Sequence, residues 1–164
     1  MVSEFELNIL EILNEDARTP RERIALMTGR SVEEVDEAVE KLEREKIIVK
    51  YPAMINWDKV SREEVQALIE VRVTPQRGEG FDAIAEQIYR FEEVSSVYLM
   101  SGAYDLMVLV RGRTMQQLAL FVAEKLSTLE HVNSTATHFV LKKYKSDGVI
   151  LEGGRADDRL AVSP

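Results

Sequence analysis

A short turn between two apolar runs carries the side chains best suited to hold a small ligand. The turn is Ser101-Gly102-Ala103-Tyr104-Asp105, and the apolar run 106–110 follows it directly. Glycine lets the backbone of a tight turn approach a ligand closely, and Asp105 sets a carboxylate beside it. The same Asp105 is also suited to capping its own turn, and Tyr104 to packing at an interface between chains. The elements that position the turn therefore decide its role.

The chain on either side of this turn alternates strand-like and helix-like patterns. Apolar residues recur at every second position of 65–73, which predicts a strand that ends before Pro75. Gly78 and Gly80 precede a predicted helix. Two further strands, a second helix and a last strand complete the pattern, at 94–100, 106–110, 115–126 and about 132–144. The first helix is predicted to bury Phe81, Ile84, Ala85 and Ile88, and the apolar residues of the second are Met115, Leu118, Val122 and Leu126.

This order of elements, β-α-β-β-α-β, predicts a ferredoxin-like domain over residues 65–145 and an α+β fold class. Two helices would cover one face of a four-stranded antiparallel sheet. Apolar residues occur on both sides of the last predicted strand, with Phe139 and Leu141 opposite Val140. Because a sheet covered on one side would leave such residues in water, we expect a homo-oligomer, at least a dimer, formed through the open face.

The first third of the chain has the pattern of a helix-turn-helix. A Ser or Thr followed three residues later by Glu predicts helix starts at Ser3, Thr19 and Ser31. Pro20 would take the first position of the second helix, and a tight turn around Gly29 would join it to the third helix. The predicted inward residues of the three helices are Phe5, Ile9, Ile12, Leu13, Ile24, Met27, Val32, Val35, Val39 and Leu42.

Residues 47–56 then predict two short strands that form a wing, in which Pro52 is tolerated because such a hairpin consists of edges only. The first domain is therefore predicted to be a winged helix-turn-helix. The predicted boundaries are 1–56 for this domain, 57–64 for a linker, 65–145 for the ferredoxin-like domain and 146–164 for a polar C-terminal extension.

The composition excludes several classes of protein. The 164 residues include no cysteine, so a disulfide, a thiolate zinc site and a cysteine nucleophile are all excluded. The first residues do not resemble a signal peptide, and no stretch approaches the roughly 18 apolar residues of a membrane span. We therefore expect a cytoplasmic protein with no membrane contact. The net charge of −8 argues against non-specific nucleic-acid binding, so any DNA contact must come from a local patch.

The sequence predicts no catalytic site, no metal site and no cofactor. His131 and His138 lie seven residues apart in or beside a strand, which places them on opposite faces in a regular extended chain. They are therefore poorly placed to share a metal ion. Residues 77–80 lack the Lys and the Ser or Thr of a phosphate-binding loop.

Short motifs in both halves of the chain occur in a recognisable order. The first half contains Ile9-Leu10-Glu11-Ile12-Leu13, Asp16-Ala17-Arg18, Leu42-Glu43 and Ile47-Ile48-Val49-Lys50-Tyr51. The second half contains Ser101-Gly102-Ala103-Tyr104-Asp105-Leu106 and Val132-Asn133-Ser134-Thr135-Ala136-Thr137. In this order and spacing the motifs resemble the Lrp/AsnC family of transcriptional regulators, and the resemblance covers about residues 3–145.

The resemblance implies a head that binds double-stranded DNA and a C-terminal domain that binds small effectors, commonly amino acids. In such proteins the effector binds between dimers, which can assemble further into tetramers or octamers. We assign Asp105 as the acceptor of the effector's ammonium group, because an unpaired charge in a closed site is costly. The resemblance implies that the second motif forms the other wall of the site, although Thr135 and Thr137 would also suit an ordinary strand. The predicted effector-binding residues are Gly102, Tyr104, Asp105, Ser134, Thr135 and Thr137.

The third helix departs from the family pattern where DNA contact is decided. Family members usually open this helix with Ser-Pro and present consecutive arginines on its outward face. Here Val32 replaces the proline, and Glu37 and Ala38 stand where the arginines are expected. Residues 31–45 hold seven acidic and two basic residues, and residues 1–56 hold 13 acidic and eight basic residues, a net charge of −5 in each case. Non-specific affinity for DNA should be poor.

Two hypotheses remain for the head. In the first, an oligomer binds selected DNA sequences through a limited set of polar and basic side chains, and avidity compensates for weak single contacts. In the second, the acidic head binds a protein, and the whole chain is a ligand-sensing scaffold. A plain solvated helix face with surface pairs such as Glu37/Lys41 and Glu40/Arg44 would give the same pattern. Under the first hypothesis the DNA-binding residues are Arg18, Arg21, Arg23, Arg30, Ser31, Lys41 and Lys50.

Overall fold

A computed structural model describes residues 2–60, 64–75 and 80–151. The chain divides into two compact units, Met1–Ile55 and Asn56–Pro164, which we call the head and the second unit. Part of the predicted linker (61–63), Gly78 and residues 152–164 of the predicted extension lie outside the described residues. Among the described residues, none of the helices combines the length and the apolar character that spanning a bilayer requires.

The head consists of three helices, α1 (Glu4–Glu15), α2 (Arg21–Thr28) and α3 (Val32–Arg44). The capping boxes predicted at Ser3 and Ser31 are both formed, with the Glu three residues on completing each box. The box predicted at Thr19 is wrong. Pro20 is the N-cap of α2, because the Thr19 hydroxyl instead donates to the Asp16 carbonyl at 2.8 Å and closes the turn after α1.

The turn between α2 and α3 depends on a glycine. Gly29 has a φ of 67°, and this left-handed backbone ends α2 and redirects the chain into α3. The core of the head is formed mainly by Ile9, Ile24, Val35, Val39 and Leu42, all buried as predicted. Met27 is 58% exposed, so its predicted inward position is wrong. The short α2 turns Ile24 and Ala25 inward, and Met27 lies beyond the edge of that face.

The predicted wing does not form within the chain. Residues 47–56 contain no strand, although Ile48 packs against the core of the head and the Tyr51 hydroxyl donates to Glu43 at 2.7 Å. A two-stranded hairpin without further support is marginal in water, and Pro52 cannot donate to a ladder. The segment also lacks the Asn-Gly or Asp-Gly turn that would favour a tight hairpin.

The second unit contains the predicted ferredoxin-like fold, and the α+β class is confirmed. Its elements are β1 (Val65–Val73), α4 (Asp82–Tyr89), β2 (Val94–Leu99), β3 (Leu106–Gly112), α5 (Met115–Phe121) and β4 (Val132–Phe139). The two helices pack on one face of an antiparallel sheet of four strands in the order β2-β3-β1-β4. The second helix continues as a π-helical segment at Val122–Leu126, where the Ser127 amide donates to the Val122 carbonyl at 2.8 Å.

The last strand is shorter than predicted. β4 ends at Phe139 because its partner β1 begins at Val65, and the final contact of this ladder is the Val140 amide donating to the Gln66 carbonyl at 2.9 Å. The chain then forms a small hairpin, β5 (Lys145–Ser146) and β6 (Val149–Ile150). Its turn residues Asp147 and Gly148 both have positive φ, as a type I′ hairpin turn requires.

The face of the sheet opposite the helices carries an apolar patch. Leu68 and Leu109 face each other across β1 and β3, Met107 pairs with Tyr98 of β2, and the three aliphatic side chains are only half-buried in the single chain. These residues differ from those used for the prediction. Phe139 packs against the core on the helical side, and Leu141 lies beyond β4 with 87% of its surface exposed.

Candidate DNA-binding and effector sites

The outward face of α3 is acidic, and Ala38, which the sequence analysis placed on this face, does not belong to it. Glu33, Glu37 and Glu40 are exposed, whereas Ala38 is 8% exposed and belongs to the core of the head. The position at which the resemblance leads us to expect a second outward arginine therefore faces inward in this chain, so the outward placement of Ala38 is wrong. Ser31 lies at the start of the same helix, and its hydroxyl accepts the Glu34 amide at 3.2 Å.

Three of the basic residues predicted to meet DNA are paired with carboxylates of the head. Arg21 contacts Asp36 at 3.2 Å, Arg30 contacts Glu34 at 3.1 Å, and Lys41 contacts Glu6 at 2.8 Å. The i,i+4 pairs considered from the sequence, Glu37/Lys41 and Glu40/Arg44, are not among the ion pairs of the described residues. Each internal pair reduces the positive charge that the head can offer to phosphates.

The Lys41 pair is the most enclosed of the three. Glu6 is 6% exposed, and its carboxylate also accepts the Ser3 amide at 2.7 Å and the Ser3 hydroxyl at 2.9 Å. The hydrogen bond from Lys41, followed by those from Ser3, lowers the pKa of Glu6 from 4.5 to about 2. The same partner raises the pKa of Lys41. This pair joins α1 to α3 and therefore stabilises the head.

The remaining basic residues of the predicted set are differently placed. Arg18, Arg23 and Lys50 are exposed and form no ion pair with any carboxylate of the described residues. The Arg18 amide donates to the Asp16 carboxylate at 2.9 Å in the turn after α1, which leaves its guanidinium exposed. These three side chains are the predicted DNA contacts whose charge is not already neutralised by a neighbour.

The turn before β3 is fixed against the end of β1 by Asp105. Its Oδ2 accepts the Val73 amide at 2.9 Å, its own amide donates to the Val71 carbonyl at 3.1 Å, and its carbonyl accepts the Met100 amide at 2.8 Å. Asp105 is half-buried, as is Tyr104, while Gly102 is exposed and a Cβ added to it would meet nothing within 4 Å. Val73 uses one oxygen of the carboxylate, so Oδ1 is the atom that a ligand would meet.

The second predicted wall is split between the two faces of the sheet. Thr135 and Thr137 pair with Val71 and Ile69 and lie on the helical side, whereas Ser134 pairs with Arg72 and lies on the open face. The alternation of a regular strand requires this division. A residue that the sequence analysis omitted joins the helical side, because the Ser127 hydroxyl lies 3.2 Å from that of Thr135. A Ser-Thr pair at the end of a helix gives too general a signal to single Ser127 out.

One strand end connects the two predicted walls. Val71 of β1 pairs with Leu106, which follows the turn, and on its other side with Thr135. Neighbouring strands lie about 5 Å apart, so the turn and Thr135 are separated by roughly 10 Å across β1. Asp105 supplies an anionic acceptor and the threonines supply hydroxyl groups, which suits a small polar ligand. The described residues contain no cluster of three or more His, Asp or Glu that could hold a metal ion.

Comparisons with known proteins point in one direction. The family model described as Lrp/AsnC ligand binding domain matches residues 66–150. The chain is 57% identical over 164 residues to the uncharacterized HTH-type transcriptional regulator YugG of Bacillus subtilis, with 99% of each chain covered. It is 32% identical over 145 residues to the HTH-type transcriptional regulator LrpA of Pyrococcus horikoshii, which covers 88% of this chain and 100% of the relative.

Among solved structures, the chain is similar to the transcriptional regulator NMB0573 of Neisseria meningitidis in its complex with L-Met. The TM-score is 0.70 at 22% identity, with 89% of this chain and 94% of that chain covered. At this identity the likeness concerns the fold.

Proposed function

Since the chain belongs to the Lrp/AsnC family of helix-turn-helix transcriptional regulators, we propose that it binds DNA as an oligomer and responds to an amino acid. The head would bind the DNA, and the second unit would bind the effector. Apolar residues on the open face of its sheet would hold the oligomer together.

The geometry of Asp105 is the observation that carries the effector proposal. Its carboxylate is half-buried, one oxygen is held by the Val73 amide at 2.9 Å, and the turn around it is tied to β1 by two further backbone hydrogen bonds. A fixed, partly desolvated carboxylate with Oδ1 left over suits an ammonium group, because charge-assisted hydrogen bonds are the stronger ones. The L-Met complex of the Neisseria relative supports an amino acid as the class of effector.

DNA binding would rest on few contacts in each head. Arg18, Arg23 and Lys50 are exposed and unneutralised by the described carboxylates, and the HTH architecture brings α3 to the surface of the head. An oligomer that engages several heads at once converts weak single contacts into useful affinity, since the later binding events are intramolecular. The proposed binding is therefore selective and multivalent.

The acidic face of α3 favours one alternative. Seven acidic residues in 31–45, together with the internal pairs of Arg21, Arg30 and Lys41, would suit a head that binds a basic protein surface. In that case the protein would be a ligand-sensing scaffold.

A single titration separates the two functions. The full chain is added to the duplex from upstream of its own gene, over a range of salt concentrations and with each common amino acid in turn. We expect binding that weakens with salt and that one or a few amino acids change. Absence of binding at low salt, with every amino acid, would reject DNA binding in favour of the scaffold.

A further inference from the structure

A basic segment follows the sheet of the second unit, where the sequence analysis predicted the end of the last strand. Lys142, Lys143 and Lys145 occupy three of four positions, and no acidic residue occurs between 131 and 146. The chain as a whole has a net charge of −8. Asp147, in the turn after Lys145, is the one acidic residue of 131–151. Because charges in water are screened within about 10 Å, a polyanion close to this lysine segment, residues 142–145, would experience its net positive charge more than the negative charge of distant parts of the chain.

The lysine segment is presented to solvent. It lies between β4 and β5, and Tyr144 within it is 63% exposed, with the Lys142 ammonium 5.0 Å from the centroid of its ring. Lys145 is exposed and Lys143 is half-buried. Neither of these two pairs with a carboxylate in the part of the chain that the structure describes, in contrast to Arg21, Arg30 and Lys41 of the head.

Two hydrogen bonds connect the lysine segment to the start of the second unit. The Leu151 amide donates to the Tyr144 carbonyl at 3.0 Å, and the Asn56 side-chain amide donates to the Leu151 carbonyl at 2.8 Å. Asn56 is the first residue of the second unit, and Ile55 is the last residue of the head. The lysine segment is therefore anchored to the first residue of the second unit.

We propose that the lysine segment binds the phosphate backbone of the same DNA duplex that the head binds. Lysine ammonium groups on flexible stems bind phosphate oxygens as point charges, and such contacts position a protein on DNA without selecting a sequence. The exposed Tyr144 hydroxyl is a further donor of the kind that phosphates accept. The segment supplies the non-specific attraction for DNA phosphates, which the acidic face of α3 does not supply. The proposal rests on DNA binding by the head.

The test measures how salt changes the affinity of the full chain for a fluorescent mixed-sequence DNA duplex. The variant Lys142→Gln/Lys143→Gln/Lys145→Gln should weaken binding and flatten the slope of log affinity against log salt by about two to three units for each engaged chain. The variant Lys142→Arg/Lys143→Arg/Lys145→Arg keeps the charge and should keep the slope. Arg90→Gln/Arg113→Gln removes two charges from the same unit outside the lysine segment and should leave the slope unchanged.

The other outcomes overturn the proposal in distinguishable ways. If the Gln variant kept the wild-type slope, the lysine segment would be rejected as a DNA contact, and the proposal that the head binds DNA would be unaffected. An equal loss per charge in the Arg90/Arg113 control would show an effect of net charge alone. A Gln variant that changes its sedimentation but not its slope would identify the segment as a contact for an acidic protein surface. Wild-type protein that fails to bind any duplex at low salt would reject the proposed function together with this inference.

Discussion

The head and the second unit use their charged residues in different ways. In the head, Arg21, Arg30 and Lys41 of the predicted DNA contacts are paired with acidic residues, and the Lys41–Glu6 pair at 2.8 Å joins two helices. In the second unit, Lys125 is likewise paired with Glu93 at 2.6 Å, but Lys145 is exposed and pairs with no carboxylate of the described residues. Basic residues that stabilise a fold are less available to a partner. We therefore expect the pairing of charges, as well as their number, to affect what each unit binds.

The open face of the second unit should give the strongest response to mutation. Leu109 is half-buried in the single chain and faces Leu68 across the sheet. Leu109→Asp would place an unpaired carboxylate in the proposed interface, where burial costs several kcal/mol, so we expect the dimer to dissociate at micromolar concentration. Sedimentation velocity measures the change. Leu120→Asp, on the exposed surface of α5, is the matched control and should remain dimeric. A Leu109→Asp variant that folds and stays dimeric would place the interface elsewhere.

Substitutions of Asp105 should separate its two proposed roles, which are to bind the ligand and to fix the turn. Asp105→Asn keeps an oxygen for the Val73 amide but removes the charge, so the amino acid should bind more weakly by about 1–3 kcal/mol while the free energy of unfolding changes little. Asp105→Ala also leaves the buried Val73 amide unpaired and should lower the free energy of unfolding by about 1–3 kcal/mol. Thermal-shift titrations of the three proteins with each common amino acid measure both quantities. Equal ligand-induced shifts in wild type and Asp105→Asn would remove Asp105 from the site.

A more modest effect is expected from reversing charge on α3. Glu37 and Glu40 are exposed, whereas arginine at the buried Ala38 would disturb the core. Glu37→Arg/Glu40→Arg should strengthen binding to mixed-sequence DNA and steepen its salt slope by about one to two units if both side chains reach phosphates. Fluorescence anisotropy over a salt series gives the slope. Glu11→Arg/Glu15→Arg makes the same change of charge on α1, and equal slopes in the two variants would mean that α3 does not approach the duplex.

The smallest expected effect is a pH dependence of the stability of the head. The pKa of Glu6 lies near 2 in the folded state, below its ordinary value of 4.5. The contribution of this carboxylate to the stability of the head is therefore complete above about pH 4.5 and is lost as the pH falls toward 2. Wild type should therefore lose several degrees of melting temperature between about pH 5 and pH 2.5 that Glu6→Gln does not lose. Circular dichroism melts measure the difference. The exposed Glu4→Gln should behave as wild type, and parallel curves for wild type and Glu6→Gln would contradict the role of the Lys41 pair.

Local signals in the sequence are enough to predict most of the elements and their order. Capping residues at Ser3 and Ser31, the glycine that ends α2 and the period-two pattern of β1 act within a few residues, so each is visible in the printed chain. Their order then identified the ferredoxin-like fold, and the short motifs identified the family. Where a local signal has only one interpretation, the sequence is sufficient to predict the element that it marks.

Packing between distant elements settled which residues meet. This packing buries Ala38 in the core of the head and pairs Lys41 with Glu6, 35 residues away in the chain. It also ends β4 where its partner strand begins. It also placed Ser134 on the face opposite Thr135 and used one oxygen of Asp105 for the Val73 amide. These outcomes depend on contacts between residues far apart in the chain. Local propensity carries no information about such contacts, because their energies exist only once the elements have packed.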